Sequence, residues 1–128
     1  MKRFDARTLR AIDASRYFYV RCGTEHRYIG IWVVIVDDRV FVRPWNDKRS
    51  GWYRAFLAES LGSVKVGGRE VRVRARKVRG ERLNDAVDRA YSAKYTTKAN
   101  LKYVRGFATA TRRARTLELL PLLPSKLS

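Results

Sequence analysis

A chain of 128 residues has room for one domain with a proper core, and not for two comfortable ones. Its 45% apolar share excludes disorder as the main state, while 29 Lys and Arg against 12 acids give a formal charge of +17. Such a balance selects anionic partners: nucleic acid, a phosphorylated cofactor or an anionic membrane surface. The single cysteine, Cys22, excludes an internal disulfide and fits a reducing compartment. MKRFDARTLRA at the start lacks the apolar core of a signal peptide. The longest apolar run, IGIWVVIV at 29–36, falls far short of the roughly 20 residues of a membrane helix, so no membrane insertion is expected. The expectation is a cytoplasmic, bacterial-type soluble protein.

In chain order, DARTLRAIDAS (5–15) reads as a short helix with Leu9 and Ile12 on one face. RYFYVRC (16–22) reads as a strand. IGIWVVIV (29–36) is too β-branched for a helix and apolar on both faces, the pattern of one central buried strand. Asp37-Asp38 marks a tight turn into RVFVR (39–43). Ser50 is a plausible N-cap for a helix running to Glu59 or Ser60. SVKVGGREVRVRARKV (63–78) is the clearest local signal, because Gly67-Gly68 supplies the positive φ angles of a two-residue hairpin. In that register Val64, Val66, Val71, Val73 and Ala75 share one face, and Lys65, Glu70, Arg72, Arg74 and Arg76 the other. ERLNDAVDRAYSAKY (81–95) is an amphipathic helix, KANLKYVRG (98–106) a second short one ending at Gly106, and ARTLELLP (114–121) a final strand. The count gives a mainly β domain with peripheral helices: a six-stranded antiparallel barrel with its core over about 15–121 and a flexible tail over 122–128.

Several enzyme classes fall away. One histidine and one cysteine make no ordinary zinc site, and neither a G-x-x-x-x-G-K-[ST] loop nor a G-x-G-x-x-G is present. Cys22 and His26 are close enough in sequence for a nucleophilic pair, but a cysteine in a strand is more often a buried structural thiol. No carboxylate pair suggests acid–base work.

VFVRPWNDKRSGWYRAF (40–56) is different. Positive charge at a helix start opposes the helix dipole unless an anion sits there. Arg43, Lys48 and Arg49 surround such a start at Ser50, and guanidinium groups match phosphate oxygens. Trp45, Trp52 and Tyr53 offer flat surfaces for a planar ring. Together they suit a ligand with a phosphate at one end and a ring at the other. The alternative is plain: Trp52, Tyr53 and Phe56 as core packing, Lys48 and Arg49 as a solvated turn.

At these residues the chain resembles a known group. IWVVIVDDRVFVRPW…GWYRAFL, then VKVGGREVRVRARKV, then KY at 94–95 and TLELLP at 116–121, follow the order of the flavin-binding split-barrel superfamily. That superfamily includes the pyridoxamine-phosphate oxidases and the deazaflavin-dependent nitroreductases. Within it, the chain is most similar to an uncharacterised bacterial domain family. The resemblance covers about 15–121 and implies a six-stranded split barrel that forms homodimers, with a cofactor groove at the interface. It implies that Arg43 holds the cofactor phosphate from a strand end, that Lys48 and Arg49 lie in the loop that carries the second basic contact, and that Trp52 and Tyr53 are the aromatic pair opening the helix; Trp45 and Ser50 join them as candidate cofactor-binding residues on their chemistry and position alone. Many relatives carry Ser or Thr after the strand-end arginine. Pro44 stands there instead and offers neither a hydroxyl nor an N–H. The implied cofactor is FMN, with deazaflavin F420 or no cofactor as alternatives. The implied activity is that of an oxidoreductase whose hydride chemistry the cofactor carries.

A nucleic-acid-binding barrel is the competing reading. Arg72, Arg74 and Arg76 place three charges on one strand face, although no aromatic residue is interleaved with them in that strand. The plainer view of this ladder is a solvent-facing edge strand kept soluble by charge. A structural module without a ligand is the third possibility.

Overall fold

A computed structural model of the chain describes residues 3–122. Beyond Leu122, the expected tail lies outside the described residues. Among the described residues there are five helices and seven strands: α1 (Ala6–Ala14), β1 (Phe18–Cys22), β2 (Ile29–Ile31), β3 (Val34–Val36), β4 (Arg39–Val42), α2 (Trp52–Ala58), β5 (Leu61–Val66), β6 (Arg69–Lys77), α3 (Glu81–Lys94), α4 (Leu101–Phe107), α5 (Ala110–Arg113) and β7 (Leu117–Pro121). A 3₁₀ turn, Lys98–Asn100, leads into α4. The strands form one antiparallel sheet in the order β2-β1-β5-β6-β7-β4-β3. It is a curled half-barrel of seven strands, which corrects the expected six-stranded barrel.

The seventh strand comes from the run 29–36. It is not one central strand. β2 pairs with β1 at one end of the sheet and β3 with β4 at the other, so its halves form opposite edges. Only Trp32 and Val33 separate them. Three Cα steps of about 3.8 Å allow the edges no more than about 11 Å of separation at this point, so the sheet has to curl. The junction leaves backbone groups outside any ladder, and α3 supplies partners for them. Tyr95 Oη accepts from Val33 N–H at 3.0 Å and donates to Arg16 C=O at 2.5 Å. Lys94 Nζ donates to Val33 C=O at 2.8 Å and Ile12 C=O at 3.0 Å. The Trp32 ring stacks on Tyr95 with centroids 3.9 Å apart and planes 3° off parallel.

The two hairpins read from sequence are present. Gly67 and Gly68 have φ of 55° and 74°, and Val66 pairs with Arg69. Asp37 and Asp38 also adopt positive φ, 52° and 62°, between paired Val36 and Arg39. α1 starts at Asp5, whose carboxylate accepts from Thr8 N–H at 2.7 Å. α2 starts instead at Gly51, one residue past the expected Ser50, with no side-chain cap.

Apolar residues fill both sides of part of the sheet. Inside the curl, Phe18, Val20, Val33, Val40, Val42, Val64, Val73, Leu117 and Leu119 pack with Ile12 of α1 and Tyr53 and Phe56 of α2. Outside it, Val34 and Phe41 pack with Val87, Tyr91 and Tyr95 and with Val104 and Phe107 of α4. This second layer explains why the run 29–36 is apolar on both faces. Beside it, the buried Glu118 carboxylate accepts from Arg39 at 2.8 and 2.9 Å and from Arg76 at 2.6 Å, joining β4, β7 and β6. Among the described residues no helix is long and apolar enough to cross a membrane.

Lys94 gives the fold a pH signature. Burial lowers its pKa from the ordinary 10.5 to about 8. Between those values the unfolded chain binds the extra proton, so stability rises with pH across this window. The neutral amine still has two N–H groups for its two carbonyls. Burial of Tyr95 raises its pKa to about 12, so above about pH 10 the folded state holds the extra proton and this contribution falls. We predict that stability in urea rises from pH 8 to pH 10 and that Lys94→Met flattens the rise; an unaltered profile in the variant would exclude Lys94 as its source.

Candidate functional site

The loop after β4 and the start of α2 border a cleft of about 380 Å³ against the β2 edge. Arg43, Trp45, Lys48, Trp52 and Tyr53 all line it, together with Ile29–Trp32, Asn46, Gly51 and Phe107. Five of the seven residues singled out from sequence therefore converge. Arg49 and Ser50 do not join them: they line a neighbouring hollow beside Cys22–His26. Tyr53 and Phe56 are core residues, as the plainer sequence reading had it, while Trp52 is half-buried and shared between core and cleft.

Arg43 sits at the bottom and points inward. Its side chain is fully buried, and every N–H has a protein acceptor. Nε donates to Thr116 Oγ1 at 2.8 Å; one terminal nitrogen donates to Asp88 Oδ1 at 2.5 Å and Phe107 C=O at 2.8 Å; the other reaches Asn84 C=O and Oδ1, both at 3.1 Å. Asp88 neutralises the charge. The strand-end position was legible, but the acceptors lie 41 to 73 residues further along the chain, where no local pattern pointed to them.

Trp45 is anchored by residues that the sequence reading did not single out. The Arg112 guanidinium lies 3.7 Å from the Trp45 ring centroid, and its Nε donates to Trp45 C=O at 2.8 Å. Tyr103 and Phe107 meet the ring edge-on at 5.2 and 5.3 Å. Gly106 lies beneath it. A Cβ there would come within 2.4 Å of Trp45 Cη2, so this glycine serves close approach inside α4 and does not end the helix. The next turn of the loop is fixed by Asp47, which accepts from Arg54 at 2.5 and 2.7 Å and pairs with Arg115 at 3.5 Å. These contacts hold the aromatic wall while Lys48 stays exposed at the rim.

Cys22 and His26 border the same hollow, but the thiol is engaged by backbone carbonyls. The Cys22 thiol is buried and donates to Glu59 C=O at 3.1 Å. Burial, helped by the Glu59 charge, pushes its pKa up, which keeps it a thiol. Among the described residues no group of His, Cys, Asp and Glu could hold a metal ion.

The curled sheet with its flanking helices defines the class of fold, and that fold recurs in solved structures. An FAD-binding protein from Mesorhizobium loti superimposes with a TM-score of 0.54 at 16% identity, covering 95% of this chain and 91% of that one. A conserved hypothetical protein from Mycobacterium tuberculosis superimposes with a TM-score of 0.57 at 12% identity, covering 96% and 81%. No curated protein matches the chain. Residues 8–119 match the bacterial family described as "Uncharacterized protein conserved in bacteria (DUF2255)", and the chain belongs to that family.

A buried arginine whose partner is removed, or which is itself removed from its partners, costs about 3–5 kcal/mol. Arg43→Ala should therefore lower the unfolding free energy by about that amount, with Asp88→Asn costing less because it keeps an acceptor. Urea titration of both variants checks this; wild-type stability in Arg43→Ala would mean that the guanidinium does not tie these elements together.

Proposed function

We propose that this protein binds a flavin-type cofactor in the tryptophan-walled cleft and serves as an oxidoreductase. The observation that carries the reading is the convergence of Trp45, Trp52, Lys48, Tyr53 and Arg43 on one cleft, with Trp32 also in its lining. The residues fit the group. A planar ring rests against indole faces, and an anionic tail meets Lys48 at the rim, with Arg49 next along the loop. The cleft volume lies at the lower end of the range for small-molecule sites, which suits a ligand that is partly covered by something else. A bound flavin or deazaflavin supplies hydride chemistry; the chain positions it and sets its electrostatics. Arg43 enters this reading as the residue that fixes the floor, since its donors are already engaged. Pro44, buried beside it, adds no phosphate donor.

The likeness in fold to an FAD-binding protein supports a flavin without choosing among flavins. FMN is the first candidate. F420 is the alternative, because its anionic tail suits a chain of charge +17. We also propose that the protein works as a homodimer. One wall of the cleft is β2, an edge strand with Ile29 41% exposed, and a second copy seated there would cover the ligand.

Titration with FMN, FAD and F420, read by quenching and thermal shift, should give saturable binding of at least one. Lys48→Ala should weaken it by about 1.5–3 kcal/mol, the range for a charged hydrogen bond, at unchanged melting temperature. Trp52→Ala should weaken it too. No response to any of the three, or a monomer by mass measurement with flavin bound, would remove the corresponding half of this reading.

A further inference from the structure

The outer face of the sheet is covered unequally. Over β3 and β4 it lies beneath α3 and α4. Over β2, β1, β5 and β6 most outward residues face solvent, and tyrosines and cations predominate among them, with Ser63 buried and Glu70 the one acid of the aligned rows. The registers align Gly30, Tyr19, Lys65 and Glu70 across the four strands, and Arg21, Ser63 and Arg72 across three of them. Tyr17 precedes Tyr19 on the same side, and Arg74 follows Arg72. The arginine ladder is thus not an edge: β6 lies between β5 and β7. The aromatics missing from its own strand stand two strands away, Tyr19 on β1 and Tyr17 just before it.

Their presentation suits stacking. Tyr17 and Tyr19 are 46% and 50% exposed, among the most exposed large side chains. Tyr19 folds over Gly30: a Cβ at that glycine would lie 3.0, 3.5 and 3.6 Å from three ring atoms. One ring face is thereby held against the sheet and the other turned outward. A hollow of about 450 Å³ opens beside both tyrosines, bounded by Ser15, Lys65 and the Gly67-Gly68 hairpin tip. Tyr28 lies between Arg21 and Lys65, 4.6 and 4.5 Å from its ring centroid, and donates its hydroxyl to Glu70. Arg21, Lys65, Arg72 and Arg74 have no ion-pair partner among the described residues, and Arg21 Nε is buried with no acceptor.

We propose that this face docks single-stranded nucleic acid, with bases on Tyr17 and Tyr19 and phosphates on Arg21, Lys65, Arg72 and Arg74. Charge complementarity selects the occupant. A second copy would set like charges against each other, whereas a polyanion with flat bases matches cations and rings together. A duplex keeps its bases stacked internally and makes no use of the tyrosines. The proposal does not rest on the flavin cleft: the hollow beside the tyrosines and the cleft share no lining residue, although Gly30, beneath Tyr19, borders the cleft.

Fluorescence anisotropy with oligo-U and oligo-dT of about a dozen nucleotides, against a duplex of equal length, tests it. Single strands should bind more tightly than the duplex. For three to four phosphates, affinity should fall with a log–log salt slope of about −2 to −3 between about 50 and 200 mM. Tyr17→Ala/Tyr19→Ala should weaken single-strand binding by about tenfold or more at an unchanged slope, and Tyr17→Phe/Tyr19→Phe should retain it. Lys65→Ala/Arg72→Ala should make the slope shallower by about 1.4. The RNA and DNA arms identify which strand is preferred. Equal binding of duplex with no effect of the tyrosine changes overturns the proposal. So does binding confined to vesicles of anionic lipid, a change in oligomeric state in the tyrosine variant, or no binding to either single strand. Thermal melts and the flavin titration of each variant separate these outcomes from loss of fold and from failure of the cleft reading.

Discussion

A guanidinium taken out of water has five N–H groups to satisfy, and Arg43 satisfies them with four residues from three separate segments. Asn84 and Asp88 come from α3, Phe107 from the end of α4, and Thr116 from the lead into β7. Each of these is fixed in place relative to the end of β4 because the alternative is an unpaired buried charge. Asp88 extends the network to Arg113, which also binds Glu81 and Asp85. The outer helical layer is thus keyed to the sheet by charge as well as by apolar packing. Trp45, two residues beyond Arg43, and Phe107, one of its acceptors, take their positions in the cleft wall from the same knot.

What was legible in the sequence was local. Gly67-Gly68 and Asp37-Asp38 declare their hairpins because positive φ is a property of the turn residues themselves. The alternation around 63–78 declares its faces for the same reason, and helix α3 declares its apolar stripe through Val87 and Tyr91. What was not legible depended on partners distant in the chain. A run of eight apolar residues gives no hint that it breaks at Trp32–Val33, because the break is imposed by curling and made affordable by Tyr95 and Lys94, some sixty residues away.

The same division holds for the candidate site. Residue types between Arg43 and Tyr53 marked the right region, and the cleft gathers most of them. Direction was the missing quantity. An arginine at a strand end can face a groove or the interior, and only the acceptors on α3, at the end of α4 and just before β7 decide that Arg43 faces inward. Likewise the ladder of β6 looked solitary in one dimension, whereas the sheet order sets β1 and its tyrosines two strands from it.

The order of the strands also bears on how the chain comes together during synthesis. β7, last of the seven to leave the ribosome, inserts between β6 and β4. Until it arrives the sheet exists as two pieces, β2-β1-β5-β6 and β4-β3, joined through Trp32 and Val33. Thr116, which Arg43 needs as an acceptor, arrives with it. A nascent chain that has emerged only through α4 therefore carries two additional open sheet edges, β6 and β4, and an incompletely paired buried cation, and its cooperative folding waits on the final strand.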